Sequence, residues 1–136
     1  MDGWGEPRGA VATTISHDNH NLLVLGRDPA DMAAAANALI EAGGGMSVAQ
    51  GGRATAVMPL PLFGLLAETP PHETAEAFAR VRAAADQVMD WKLPHRVFRS
   101  VTGVSLACNP GPHPTDLGIS DGGTGALVDP AVPLAA

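Results

Sequence analysis

One stretch of the chain, RDPADMAAAANALIEAGGG from Arg27 to Gly45, carries a complete set of helix signals and so constrains the fold strongly. Asp28 suits the N-cap, Pro29 the first helical position and Gly43 a left-handed C-cap. Apolar residues recur at helical spacing along one face, at Met32, Ala35, Ala36, Leu39 and Ile40. The alanines of this face predict a helix packed closely against a sheet.

Strand-forming residues lie on both sides of this helix. The residues from Ala10 to Leu25 favour strand, and the apolar run Leu22–Leu25 predicts a central strand covered on both faces. After the helix, Met46–Gln50 and Ala54–Leu60 flank a Gly-Gly turn, which predicts a β-hairpin.

The second half of the chain is less regular. A second helix is predicted from about Thr69 to about Met89, with apolar residues at helical spacing at Ala75, Phe78, Val81, Ala85 and Val88. The segment Arg96–Asn109 favours another strand or a mixed segment, and PGPHPTDLGISDGG reads as irregular. The order β-α-β-β-α-β predicts an α/β or α+β fold, with a single sheet and packed helices.

The same pass suggests how the chain is divided. We expect residues 1–9 to be a flexible lead-in, residues 10–122 to form one domain, and residues 123–136 to be a low-complexity tail. At 136 residues, the chain has room for one ordinary domain.

Composition excludes several classes of function. Eight Lys and Arg stand against fourteen Asp and Glu, and the basic residues form no run, so nucleic acid is not expected as a partner. No apolar run approaches the length of a membrane helix, and the N-terminus shows no signal peptide. A single cysteine, Cys108, allows no internal disulfide and fits a reducing compartment. We therefore expect a soluble, cytoplasmic domain.

The polar stretch SHDNHN, from Ser16 to Asn21, interrupts an otherwise apolar region. His and carboxylate side chains are suitable metal ligands, but on a strand His17 and His20 would point to opposite faces. A carboxylate–imidazole relay is a second interpretation, yet no nucleophile motif or phosphate-binding loop accompanies it. A hydrogen-bonded strand end is a third, and a surface that faces another domain is a fourth.

The motifs of this chain, taken in order, closely resemble those of the C-terminal domain of bacterial adenine deaminases. The resemblance spans roughly residues 8–122. It rests on a His-Asp-x-His-Asn motif followed by an apolar strand, a capped helix, three glycines, a Leu-Pro-Leu-Pro-x-x-Gly-Leu-type loop and a Thr-Asp-x-Gly ending. The matching positions are His17, Asp18, His20, Asn21, Gly26, Asp28, Gly43–Gly45, Leu60–Leu62, Gly64, Leu65, Thr115, Asp116, Gly118 and Asp121.

This resemblance implies the accessory part of a metal-dependent amidohydrolase that converts adenine and water to hypoxanthine and ammonia. In the family, the metal ligands and the acid/base carboxylate lie on a (β/α)8 barrel that these residues do not contain. The resemblance thus implies manganese or iron in the barrel, no cofactor or metal ligand here, and little activity from this chain alone. The expected partners are the amidohydrolase barrel, further copies in a homo-oligomer, and adenine in the full enzyme.

No catalytic residue is assigned from the sequence. The residues expected to face the active site or the domain interface are His17, Asp18, His20, Asn21 and Asp116. Two alternatives stay open: a stand-alone module that binds a purine or another small ligand without catalysis, and a small hydrolase that uses His17 and His20 with a metal.

Overall fold

A computed structural model describes residues 5–16, 20–90, 97–104, 106, 109–115 and 117–128. The helices and strands in this part of the chain are β1 (Ala10–Thr13), β2 (Leu23–Gly26), α1 (Pro29–Ala42), β3 (Gly45–Gln50), β4 (Arg53–Pro59), α2 (Pro71–Val88), α3 (Val97–Val104), β5 (Pro112–Thr115), β6 (Gly118–Asp121) and β7 (Leu127–Val128).

The main sheet has four strands in the order β2-β1-β3-β4, and every neighbouring pair is antiparallel. Successive side chains along its strands point to opposite faces, and each face packs into a separate hydrophobic core. Ala10 and Ala12 pack with Ala35 and Leu39 of α1 on one face. Val11 packs on the opposite face with side chains of α2 and α3. Helices therefore cover both faces of the sheet, and β1 is fully buried.

Helix α1 forms as its sequence predicts. Asp28 accepts hydrogen bonds from the N–H groups of Ala30 (2.8 Å) and Asp31 (3.1 Å). Gly43 ends the helix with a φ of 76°, in the left-handed region that glycine adopts most readily. Because the facing residues are alanines, the helix lies close to the sheet, and the Ser47 hydroxyl of β3 reaches the Ala35 carbonyl at 2.7 Å.

The predicted hairpin is present as β3 and β4, joined by two glycines with positive φ. Asp31 of α1 accepts a hydrogen bond from the Gly52 N–H at 2.7 Å, which ties the start of the helix to this turn. The prediction for Leu22–Leu25 was wrong in its placement. Strand β2 (Leu23–Gly26) lies at an edge of the sheet and is only half-buried. Strand β1 lies inside the sheet instead, between β2 and β3, because its small side chains fit beneath the closely packed helix α1.

Helix α2 agrees with the prediction, but the segment that follows it does not. Instead of a strand, the residues Val97–Val104 form helix α3. Phe98 and Val101, three positions apart, are both buried and join the core beside α2. The rings of Phe98 and Phe78 lie 6.5 Å apart between centroids. No helix in the described ranges is both long and apolar enough to span a membrane.

A second sheet has the strand order β5-β6-β7. The segment expected to be irregular contains β5 and β6, and β7 lies within residues 123–136, which were expected to be a low-complexity tail. Its strands are also antiparallel, with Thr115 opposite Gly118 at the first turn. The fold class is confirmed as α+β, and this small sheet adds to the single one that the sequence predicts. Pro112 and Pro114 are tolerated because β5 is an edge strand. A proline there can lack its N–H without the loss of a hydrogen bond between strands.

Candidate functional site: a cleft at one end of the main sheet

The polar stretch lies in the connection between β1 and β2. Of the predicted site residues, His20 and Asn21 are described, and both are exposed. The His20 N–H donates to the Ser16 carbonyl at 2.7 Å, and His20 has a φ of 51°. His17, Asp18 and Asp116 lie outside the described residues. The stretch thus reverses the chain between two short strands, and does not continue one long strand.

Antiparallel pairing brings three separate connections to the same end of the sheet. Thr13 at the end of β1 pairs with Leu23 at the start of β2 and with Met46 near the start of β3. Gly45 pairs in turn with Pro59 at the end of β4. Residues 14–16 and 20–22, residues 43–45 and residues 60–66 therefore meet, although 31 positions separate Thr14 from Gly45 and 50 separate Thr14 from Gly64.

Thr14 joins these three segments. Its hydroxyl donates to the Gly64 carbonyl at 2.6 Å and accepts from the Gly45 N–H at 2.8 Å. The Thr14 N–H donates to the Gly45 carbonyl at 3.0 Å. One side chain therefore uses both its donor and its acceptor to hold two backbones together.

Glycines allow this close approach. A Cβ on Gly44, which has a φ of 118°, would lie 2.4 Å from the Gly64 Cα. A Cβ on Gly64 would lie 3.0 Å from the Thr14 Oγ1. The glycine run after α1 and the glycine of the 60–66 segment thus serve a single contact between backbones.

Residues 61–66, called the Phe63 loop below, form a compact turn above this contact. Leu62 and Leu66 bridge each other through two hydrogen bonds, Leu62 N–H to Leu66 carbonyl (3.2 Å) and Leu66 N–H to Leu62 carbonyl (3.1 Å). Phe63 has a φ of 59° and is 92% exposed. An aromatic residue in the left-handed region costs about 1–3 kcal/mol, so the loop holds this ring outward against a local preference.

The three segments and the end of α1 border an open cleft of about 260 Å³, called the motif cleft below. Its lining includes Thr14, His20, Leu22, Ile40, Phe63 and Gly64. His20 and Phe63 are the two non-glycine residues with positive φ in the described ranges, and both line it. Local strain of this kind tends to collect at functional sites, so the motif cleft is the strongest candidate site in the described part of the chain.

The chemistry available at the cleft is limited. Its described lining offers one imidazole, one hydroxyl and backbone groups, with no carboxylate. Within the described ranges no three His, Cys, Asp or Glu side chains lie close enough to hold a metal ion. These residues alone do not make an acid/base pair or a metal centre.

Turns lie at both ends of β6. The Thr115 hydroxyl donates to the Gly118 carbonyl at 2.7 Å, and Gly118 has a φ of 129°, as its Thr-Asp-x-Gly setting predicts. Asp121 accepts backbone N–H bonds from Gly123 and Thr124, and these bonds lower the pKa of its carboxyl group. Both arrangements stabilise the small sheet.

Together, the described residues form a small α+β domain whose distinctive feature is an apolar-rimmed cleft beside a polar motif. The adenine deaminase C-terminal domain family matches residues 1–126, and the chain belongs to that family.

Curated relatives agree with this assignment. The chain is 52% identical to an adenine deaminase of Serratia proteamaculans and 53% identical to one of Klebsiella pneumoniae, each over 97% of this chain and 22% of the relative. An adenine deaminase of Clostridium botulinum is 42% identical over 89% of this chain and 20% of its own length. The chain therefore spans about a fifth of the length of these relatives.

Proposed function

We propose that this chain acts as the C-terminal accessory domain of an adenine deaminase, which hydrolyses adenine to hypoxanthine and ammonia in the complete enzyme. The observation that carries the proposal is the family match over residues 1–126, together with relatives named adenine deaminase in which the matched region is about 22% of the length.

The catalytic residues are proposed to lie on an amidohydrolase barrel outside these 136 residues. A manganese or iron ion in that barrel would activate the water that attacks the amino-bearing carbon of adenine. The described residues here do not fit such an ion, since they provide no group of three candidate ligands. The chain's own part is to bind and position, so we expect no deamination from it alone.

The motif cleft is the part of the domain proposed to face the barrel. Support comes from His20, which lines the cleft, from the neighbouring exposed Asn21, and from the apolar rim next to them. His17 and Asp18, which precede them in the same motif, are included through the resemblance. Asp116 belongs to the same proposal through the resemblance alone. A cytoplasmic homo-oligomer is the assembly we propose for the full enzyme.

A domain replacement tests this function. The matched region of the Serratia proteamaculans enzyme would be replaced with this chain, and adenine loss and hypoxanthine formation would be followed by absorbance. We expect the chimera to turn over adenine, and the isolated chain with added manganese or iron to show none. A His20→Ala chain carried through both assays serves as the matched control.

Two results would contradict the proposal. A folded chimera without activity would show that this domain does not support the barrel. Deamination by the isolated chain that disappears in His20→Ala would instead establish a self-sufficient site. Calorimetry with adenine and hypoxanthine covers the remaining alternative, since binding tighter than about millimolar by the isolated chain would favour a stand-alone purine-binding module.

A further inference from the structure

We infer that the Phe63 loop is the docking element of this domain, and that Phe63 inserts into an apolar recess on the catalytic part of the same enzyme. The inference rests on the proposed function and adds to it the contact surface and its central side chain. Three features of the described residues carry it, namely the rigidity, exposure and position of the loop, together with the length of the curated relatives.

The loop is fixed to the body of the domain before any partner arrives. The Leu62–Leu66 bridge closes it, and the 2.6 Å hydrogen bond from Thr14 to Gly64 holds it down. The backbone of Gly64 leaves no space for a side chain at Gly44, and a Cβ on Gly64 would press against the Thr14 side chain at 3.0 Å. A loop that is already ordered loses little entropy on binding, which favours a docking role over that of a flexible connection.

Exposed apolar side chains concentrate on this side of the domain. Seven large hydrophobic residues are exposed in the described ranges, and five belong to the motif cleft or the Phe63 loop: Leu22, Ile40, Leu62, Phe63 and Leu66. Single exposed apolar residues are ordinary, whereas a cluster of this kind marks a contact surface. Phe63, at 92% exposure, has the most area left to bury.

The domain does not need this cluster for its own core. Two clusters of buried residues, one on each face of the main sheet, already form the core of the domain. Phe63 belongs to neither cluster and is 92% exposed. What covers Phe63 therefore lies beyond the described residues.

The length of the relatives indicates which partner covers the Phe63 loop. In the curated adenine deaminases that match, this region is about 22% of one continuous chain, so the remaining four-fifths is always tethered to it. A tethered partner acts at high effective concentration, and a single aromatic anchor with a small apolar rim is then enough for stable docking. The catalytic part of the enzyme is the partner that fits this arrangement.

The test uses Phe63→Asn in the Serratia chimera described above. Asparagine tolerates the left-handed region, so the loop keeps its backbone and loses only the ring. Leu127→Asn, which removes a 60% exposed apolar side chain from the second sheet, is the matched control. The readout is the rate at which a protease releases the C-terminal domain from the native chimera, and this readout does not depend on catalysis.

We expect Phe63→Asn to accelerate release at least tenfold, and Leu127→Asn to change it less than twofold. In the isolated chain, Phe63→Asn should leave the melting temperature unchanged or raise it, because the ring has no partner there and the strain falls. Equal release rates for the parent and Phe63→Asn chimeras would overturn the inference. A rise in the adenine KM with release unchanged would also overturn it, by placing the ring against substrate.

Self-association is the remaining competing explanation. A dimer of the isolated chain that Phe63→Asn converts to a monomer would assign the loop to a contact between copies, and would overturn docking on the catalytic part. An inactive parent chimera would count against the proposed function alone, since the release assay still measures docking in that protein.

Discussion

Thr14→Val tests most directly how the end of the main sheet is assembled. Valine has nearly the shape of threonine, so the substitution removes the hydrogen bonds to Gly64 and from Gly45 while keeping the packing. At about 1 kcal/mol net for each bond, the free energy of unfolding should fall by about 2 kcal/mol. The upper bound on this loss is about 3 kcal/mol for two bonds. Thr14 is only half-buried, so water can hydrogen-bond to the groups that lose their partner, and the loss should stay below that bound. At roughly 4 °C per kcal/mol, the melting temperature should fall by about 8 °C.

Urea unfolding followed by circular dichroism measures this loss, and amide hydrogen exchange at Gly45 locates it. Thr14→Ser is the control, because it keeps the hydroxyl and removes one methyl group, with an expected loss below about 1 kcal/mol. If Thr14→Ser is destabilised and Thr14→Val is not, the methyl packing matters and the hydrogen bonds do not. A Thr14→Val protein within about 0.5 kcal/mol of the parent would refute the reasoning outright.

Three further predictions concern stability. Gly44→Ala would place a Cβ 2.4 Å from the Gly64 Cα at a residue with a φ of 118°, so the free energy of unfolding, measured with a chemical denaturant, should fall by more than about 2 kcal/mol. Gly103→Ala is the control: it lies in open space on α3 and should be neutral or stabilising. Asp31→Ala removes the acceptor of the 2.7 Å bond from Gly52, and a loss of about 1–2 kcal/mol is expected by the same measurement. The lowered pKa of Asp121 stabilises the folded state above the ordinary aspartate pKa, and this contribution disappears as pH falls through the folded-state pKa; an NMR titration giving an ordinary or raised pKa would contradict it.

The elements that could be predicted from sequence are those whose signals are local. Helix α1 depends on Asp28, Pro29 and Gly43, and each acts within a turn of its own position. The β3–β4 hairpin depends on a Gly-Gly turn that lies between its two strands. In both cases local preference and tertiary packing agree, so the pattern was sufficient.

The elements that could not be predicted depend on what packs against them. The residues of α3 include several β-branched side chains, which locally favour strand, but burial of Phe98 and Val101 on one helical face against α2 outweighs that preference. Strand β5 contains two prolines and pairs because it lies at an edge. The apolar β2 is peripheral because the alanines of β1 are small enough to lie beneath α1. In each case the deciding contact involves another part of the chain, so the sequence of the segment alone does not reveal it.

The same distinction applies to the candidate site. The polar motif drew attention to His20 and Asn21, and both are exposed. Thr14, Ile40 and Phe63 could not be associated with them, because their proximity follows from the antiparallel order of β1, β3 and β4. A threonine at a strand end and an aromatic residue before a glycine were the available signals, and neither is specific by itself.

The distribution of backbone strain separates a functional interpretation of the motif cleft from a purely structural one. Where the chain needs left-handed backbone beside the cleft, it has glycine at positions 43, 44, 45 and 64, at little steric cost. At His20 and Phe63 it takes the same region with an imidazole and a benzyl side chain, where glycine would be less strained. A turn that served only to reverse the chain would gain nothing from either side chain. Both side chains are exposed, so neither strengthens the core, and the strain is explained if the two groups are presented to a surface outside the described residues.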